Sequence, residues 1–317
     1  MAAFLCKALL AARLVQGPVP SPESLAVLSN RVARDSGDAA AWMALGRAEL
    51  QASEAYHAHA GPPDTVWASG TIAAAERAFG RAAALRPGLG LGDSAATWGV
   101  VARADLAALE WELGDTAAVA AVWAAAPAGV RLPAAVEELA ENLLRACPPH
   151  AILFTSSDVV TGAAWLLRFR RGIRPDLLPV PVERYRGDSV FAARVARDAG
   201  LKTPPRRSAS TADRVLALAA VRPVCAGADF GAPPGGHGRL AWHVRPLVWT
   251  AGRDAAGAPK VPAGDFVFAA LRYGLEANDP WSRFVLDIYR HAARLTPTLC
   301  GAFAVYGIPR NRTGCRS

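Results

Sequence analysis

No run of eighteen uninterrupted apolar residues occurs in the sequence, because an arginine or an acidic residue breaks each long hydrophobic stretch. The pattern predicts no membrane-spanning helix. Cysteine is sparse. Cys6, Cys147, Cys225, Cys300 and Cys315 are too few to scaffold 317 residues and show no Cys-x-x-Cys spacing, so zinc and redox motifs are absent. The cysteines read as buried or free thiols, with one Cys300–Cys315 bridge closing a C-terminal loop as the alternative if the chain is exported. Lysine is rarer still, at Lys7, Lys202 and Lys260 among 35 basic residues, so arginine carries the positive charge. There is no His-Glu-x-x-His, nucleophile elbow or phosphate-binding loop, and no cofactor or metal site is expected. Gly88, Gly90 and Gly92 follow a helix pattern and read as a linker.

What is present is an apolar content of 52%, enough to bury a large core, which excludes disorder across the chain and leaves room for two domains. The first 17 residues carry an apolar stretch interrupted by Lys7 and Arg13, with no basic cluster before it. It reads as an amphipathic helix of a cytoplasmic protein, with an exported, periplasmic chain as the alternative. Charge is divided unevenly: residues 1–150 hold 11 basic against 15 acidic residues, and residues 151–317 hold 24 against 12. The asymmetry suggests two separately built units and an anionic partner for the second. A coding bias toward arginine is the bland alternative.

The first unit carries internal repetition. Trp42, Leu45 and Gly46 precede Ala75, Phe79, Ala82 and Pro87; Leu106, Ala107, Gly114, Val119, Trp123 and Ala126 follow at corresponding offsets. These residues resemble the tetratricopeptide repeat, with about 17 extra residues inserted in the first copy. The resemblance implies stacked antiparallel helix pairs that bind a protein partner. Helices over 21–35 and 133–145 flank the repeats, the second placed to cap the stack. Alanine-rich helices of this kind pack closely and need neighbours to bury their apolar faces.

At Cys147 the pattern changes. Ile152 to Thr155 is a short apolar run after Pro148 and Pro149, suited to a strand buried on both faces. A helix is expected over 159–171, an edge strand over 177–182 because of Pro179 and Pro181, helices over 189–199 and 211–220, and a third strand over 222–227. Residues 240–251 add a strand or hairpin, 265–275 and 279–295 are helical, and the tail after Pro309 is expected to be loose. The fold class is α plus α/β: an N-terminal helical-repeat solenoid over 1–147, then a small three-layer α/β domain with a parallel sheet over 148–317.

Ile152 to Asp158, then Trp165, Gly172, Ile173, Arg174, Pro175 and Asp176, with Arg222, Pro223 and Val224 later, resemble a soluble block of bacterial membrane proteins related to protein O-mannosyltransferases. The multi-span part where glycosyl transfer is expected is missing here. The resemblance therefore implies an accessory domain and carries over no catalytic residue.

Two sets of candidate residues emerge. The carboxyl ends of the expected strands place Ser156, Ser157, Asp158, Glu183, Arg184, Tyr185 and Asp229 at a polar crevice for a ligand; the plainer reading makes Asp158 a helix cap and Asp229 a loop opener. Arg168, Arg170, Arg171, Lys202, Arg206 and Arg207 form a basic group for an anionic surface or membrane partner, or simply a solvated face. Nucleic acid is disfavoured, since neither a recognition helix nor aromatic interleaving accompanies the charge. His57 and His59, with Glu54 or Asp64, read as a solvated loop pair before a metal site. The expected function is a non-catalytic interaction or scaffold protein. A sugar- or nucleotide-handling enzyme using the crevice is the alternative.

Overall fold

A computed structural model of the chain describes residues 24–57, 64–88, 90–127, 129–206, 209–235, 240–257 and 260–315. His59, His237 and Arg207 lie outside them. The first six helices run α1 Leu25–Arg34, α2 Ala39–His57, α3 Thr65–Leu85, α4 Leu91–Leu113, α5 Thr116–Ala124 and α6 Ala134–Ala146. Local chemistry sets their ends: the Ser24, Asp64 and Asp115 side chains each accept the backbone N–H three residues on, and Gly114 ends α4 in the left-handed region. None of the helices among the described residues is long and apolar enough to cross a membrane.

Consecutive helices α1 to α5 pack pairwise. Gly46 lies so close to the Phe79 ring that a Cβ there would come within 2.7 Å of it. Arg103 on α4 ties three helices together, donating from Nε to Glu76 of α3 at 2.6 Å and from Nη1 to the Val122 carbonyl of α5 at 3.1 Å. Trp98, Trp111 and Trp123 are buried in the core, and Trp42 packs at its margin.

A five-stranded sheet follows: β1 Ile152–Thr155, β2 Leu178–Pro181, β3 Val224–Gly227, β4 His243–Arg245 and β5 Val248–Ala251, in the order β2-β1-β3-β5-β4. The three strands expected to form a parallel sheet do so, but within a mixed sheet that residues 243–251 extend. β1 pairs in parallel with both β2 and β3, but β5 runs antiparallel to β3 and β4 antiparallel to β5. The reason is the two-residue link Pro246–Leu247, with Leu247 at φ 67°, which can join only antiparallel neighbours. Proline-bearing β2 occupies an edge, as its missing N–H donors require.

Helices α7 Asp158–Trp165, α8 Val182–Gly187, α9 Ser189–Asp198 and α10 Thr211–Ala219 connect the parallel strands, and a π-turn over Leu166–Arg170 extends α7. The helix laid against α4 after the repeats is α7, with Gly162 3.3 Å from the Val101 Cα if it carried a Cβ, and Trp165 edge-on to Trp111. The expected cap, α6, instead packs against α7 and two C-terminal helices, α11 Ala269–Glu276 and α12 Pro280–Leu295. Glu138 of α6 accepts the N–H groups of Ala270 and Leu271, which explains why α11 begins later than the sequence suggests. One apolar core runs from Met43 to Ile308 through both halves of the chain.

The tail is not loose. α13 Leu299–Val305 and α14 Arg310–Thr313 complete the described chain, Thr313 is buried, and Cys315 is bonded to Cys300. Cys147 and Cys225 form a second disulfide that the sequence did not suggest.

Candidate functional site

The chain leaves β1 toward β2 on one side and reaches β3 on the other, so the direction of winding reverses between β1 and β3. Open α/β sheets bind ligands outside the carboxyl ends of strands at such a point. Here that place is partly filled from within. Asp229, two residues after β3, accepts the Ser156 N–H at 2.6 Å, the Ser157 N–H at 3.2 Å and the Ser156 hydroxyl at 3.0 Å, all on Oδ2. Gly227 leaves room for it, since a Cβ there would lie 2.4 Å from Asp229 Oδ1. Burial raises the Asp229 pKa despite these bonds. Asp229 and Ser156 therefore clamp the ends of β1 and β3.

Asp158 begins α7 without capping it, and the N-cap residue Ser157 makes no side-chain cap bond either. Asp158 is solvent-exposed, though protein surrounds its carboxyl group closely enough to favour the neutral form. That surrounding raises its pKa; Arg47 of α2 opposes the rise and Glu183 adds to it. Two further carboxylates join from the helical half. Glu54 of α2 is solvent-exposed, yet the protein around it, with the charge of Asp158, pushes it up to about 7. Burial also pushes Asp105 of α4 to about 7, with Arg184 opposing and Asp158 and Glu54 reinforcing. Such mutual effects place the groups within electrostatic reach of one another.

The cations are largely committed. Arg47 lies over the Trp98 ring, 4.7 Å from its centroid. Arg184 donates to Glu112 of α4 at 2.7 Å and lies over Phe191 at 4.8 Å. Tyr185 is fully buried, packed edge-on to Phe154 at 5.5 Å, and its pKa is raised by burial; it is a core residue. Glu183 is exposed and pairs with Arg186 at 3.0 Å. The structure thus brings Asp158 within electrostatic reach of Glu183, sets Arg184 near Asp105, and turns Ser156, Tyr185 and Asp229 to structural duty. Arg47, Asp105 and Glu112 were missed. The only trace of them was a seven-residue spacing, which sets Glu54 on the face of Arg47, and Asp105 and Glu112 on that of Trp98. No group of His, Cys, Asp and Glu among the described residues converges to hold a metal ion.

The basic candidates also separate. Arg168 is drawn inward, over Phe169 at 4.4 Å and bonded to the Pro175 carbonyl, and burial lowers its pKa to about 10. Arg171 pairs with Glu137 of α6 at 3.0 Å. Arg170, Lys202 and Arg206 are exposed with no carboxylate at salt-bridge distance among the described residues, and Arg197 of α9, which the sequence did not single out, is like them. Arg168 senses the charge of Asp198, which ends α9, so the π-turn and that helix end lie on one side. Compared with models of protein families, with curated proteins and with solved structures, the chain matches none of them.

Proposed function

We propose that the chain is a non-catalytic interaction protein, in which a tetratricopeptide-like solenoid over 1–147 and a three-layer α/β unit over 148–317 form one adaptor that docks on an anionic membrane surface. The observation that carries this reading is that Arg170, Arg197, Lys202 and Arg206 stay exposed without acidic partners, while Arg168, Arg171 and Arg184 nearby in sequence are consumed by the fold. Unpaired cations on one unit attract anionic surfaces and lose that attraction in salt. The partner expected of the repeats meets a restriction: α7 of the same chain covers α4, so a protein partner uses the faces of α1 to α3.

The test is sedimentation with anionic and neutral lipid vesicles at low and high salt. Each basic residue near such a surface is worth about 1 kcal/mol, so Arg170→Ala, Lys202→Ala and Arg206→Ala together weaken anionic binding by on the order of 100-fold. Equal, salt-insensitive behaviour toward both vesicles overturns the membrane reading.

A second reading has its own support. Glu54, Asp105 and Asp158 come from three elements and all have raised pKa values, with like charge adding to burial, which suits a polar, sugar- or nucleotide-like ligand of an enzyme. Under it Asp158→Asn abolishes turnover or ligand binding and leaves vesicle binding intact.

A further inference from the structure

We infer that the chain is completed in an oxidising compartment and carries two disulfides with different duties: a locked staple at Cys147–Cys225 and a latch at Cys300–Cys315 that a small thiol opens in the folded protein. Both pairs meet the spatial demand of a bridge, with Cα atoms 5.9 Å and 5.8 Å apart. Their surroundings differ. Cys147 ends α6 at 4% exposure and Cys225 sits in the middle of β3 at 0%, both inside the shared apolar core. Thiol exchange needs an attacking thiolate to reach a sulfur in line, and neither sulfur of this pair is open to one while the sheet is formed. Cys300 and Cys315 are half-buried at the outer layer, where Cys315 follows the last short helix.

The two rings they close differ as well. Cys147–Cys225 spans 78 residues and encloses β1, β2, α7 to α10 and the start of β3, and with them Asp158, Arg170, Arg197, Lys202 and Arg206. Closing so long a ring removes more freedom from the unfolded chain than the 15-residue ring of Cys300–Cys315 does. The short ring holds α14 in place, where Arg312 donates to the Leu275 carbonyl at 3.3 Å and its own carbonyl accepts from Arg290. Each bridge forms when two thiols give up two protons and two electrons to a disulfide-exchange oxidant, which departs as a dithiol. A reducing, glutathione-buffered compartment reverses this for an accessible pair and withholds it from a pair that has yet to fold.

The inference does not depend on what the protein binds. Full-length chain made in an oxidising compartment is alkylated in denaturant and weighed intact. With five cysteines and two bridges, one adduct is expected, on Cys6. Treating the native protein with a small thiol first is expected to give three adducts, mapping to Cys6, Cys300 and Cys315, with melting temperature slightly lowered. Reductant in denaturant gives five. Chain made in a reducing cytosol is expected to show five adducts and a larger fall in melting temperature. Because Cys147→Ser with Cys225→Ser can fail to fold, Cys300→Ser with Cys315→Ser serves as the folded control, resistant to native reduction. Five adducts without reductant from the chain made in an oxidising compartment, native reduction of Cys147–Cys225 as fast as Cys300–Cys315, or a fully reduced chain as stable as the oxidised one would each overturn the inference.

Discussion

The two ends of the parallel strands use charge in opposite ways. At the amino ends Arg174 donates to the carbonyls of Leu144, Cys147 and Pro148 and grips Asp176 through two bonds at 2.9 and 3.0 Å. Arg222 bonds the carbonyls of His150, Asp176 and Asp198. These two arginines satisfy loop carbonyls, and Arg174 holds the Asp176 carboxyl down at about 2. Near the carboxyl ends, Asp158 and, with it, Asp105 and Glu54 of the helical half have raised pKa values, chiefly from the surrounding protein and secondarily from like charge. One end has its charges paired for stability; the other keeps carboxyls whose ionisation the surrounding protein disfavours, as sites that meet a ligand commonly do.

The comparison can be calibrated and broken. Trp123, 1% exposed on the helical stack, sets the scale of a core truncation. Trp123→Ala is expected to cost about 3–5 kcal/mol in urea unfolding; a loss under 1 kcal/mol would mean that the helical stack is loosely packed. Arg174→Met, which strands three carbonyls and the Asp176 carboxylate, is expected to cost about 3 kcal/mol. If it costs no more than a surface change, the amino end is not the structural one.

The pH dependence separates the ends more sharply. Asp105 and Glu54 hold protons in the folded state up to about 7 that the unfolded chain releases near 4, so stability falls as pH rises from about 4 through 7. Asp176 has the opposite sign. Its stabilisation is complete above the ordinary carboxylate range and is lost as pH falls toward 2. Glu54→Gln with Asp105→Asn should flatten the stability profile between pH 4 and 7, and Asp176→Asn should flatten only the acid limb. Identical profiles for the two variants would abolish the contrast. Asp105→Asn alone is expected to gain about 1 kcal/mol at pH 8, small because the cleft admits water. The smallest effect belongs to Asp158→Asn, within about 1 kcal/mol of the parent by thermal melts; a large destabilisation would make Asp158 a structural residue after all.

Several parts of the fold were legible because the signal is local. The apolar run Ile152 to Thr155 became a fully buried strand, Pro179 and Pro181 put β2 on an edge, and Asp188 capped α9 through Val190 and Phe191 as its spacing implies. The serine and aspartate residues after β1 and β3 were also placed at the strand ends, but their duties were not. Whether Asp229 faces a ligand or clamps Ser156 depends on a Gly227 that leaves space for its carboxylate, which no spacing rule records. Arg168 illustrates the same limit: as a charge in a basic stretch it reads as exposed, yet the π-turn brings it over Phe169.

By itself the sequence determined what periodicity, caps and proline geometry dictate within a dozen residues: helices before Cys147, short buried strands after it, and an acidic half followed by a basic one. Tertiary structure alone decided that α7 covers α4, that β4 and β5 turn the sheet antiparallel, that Cys147 meets Cys225, and that Glu54, Asp105 and Asp158 come within electrostatic reach of one another. Those pairings join residues from tens to more than a hundred positions apart. Their partners are chosen by which surfaces remain to be buried once the local elements have formed, and that choice has no counterpart in any short stretch of chain.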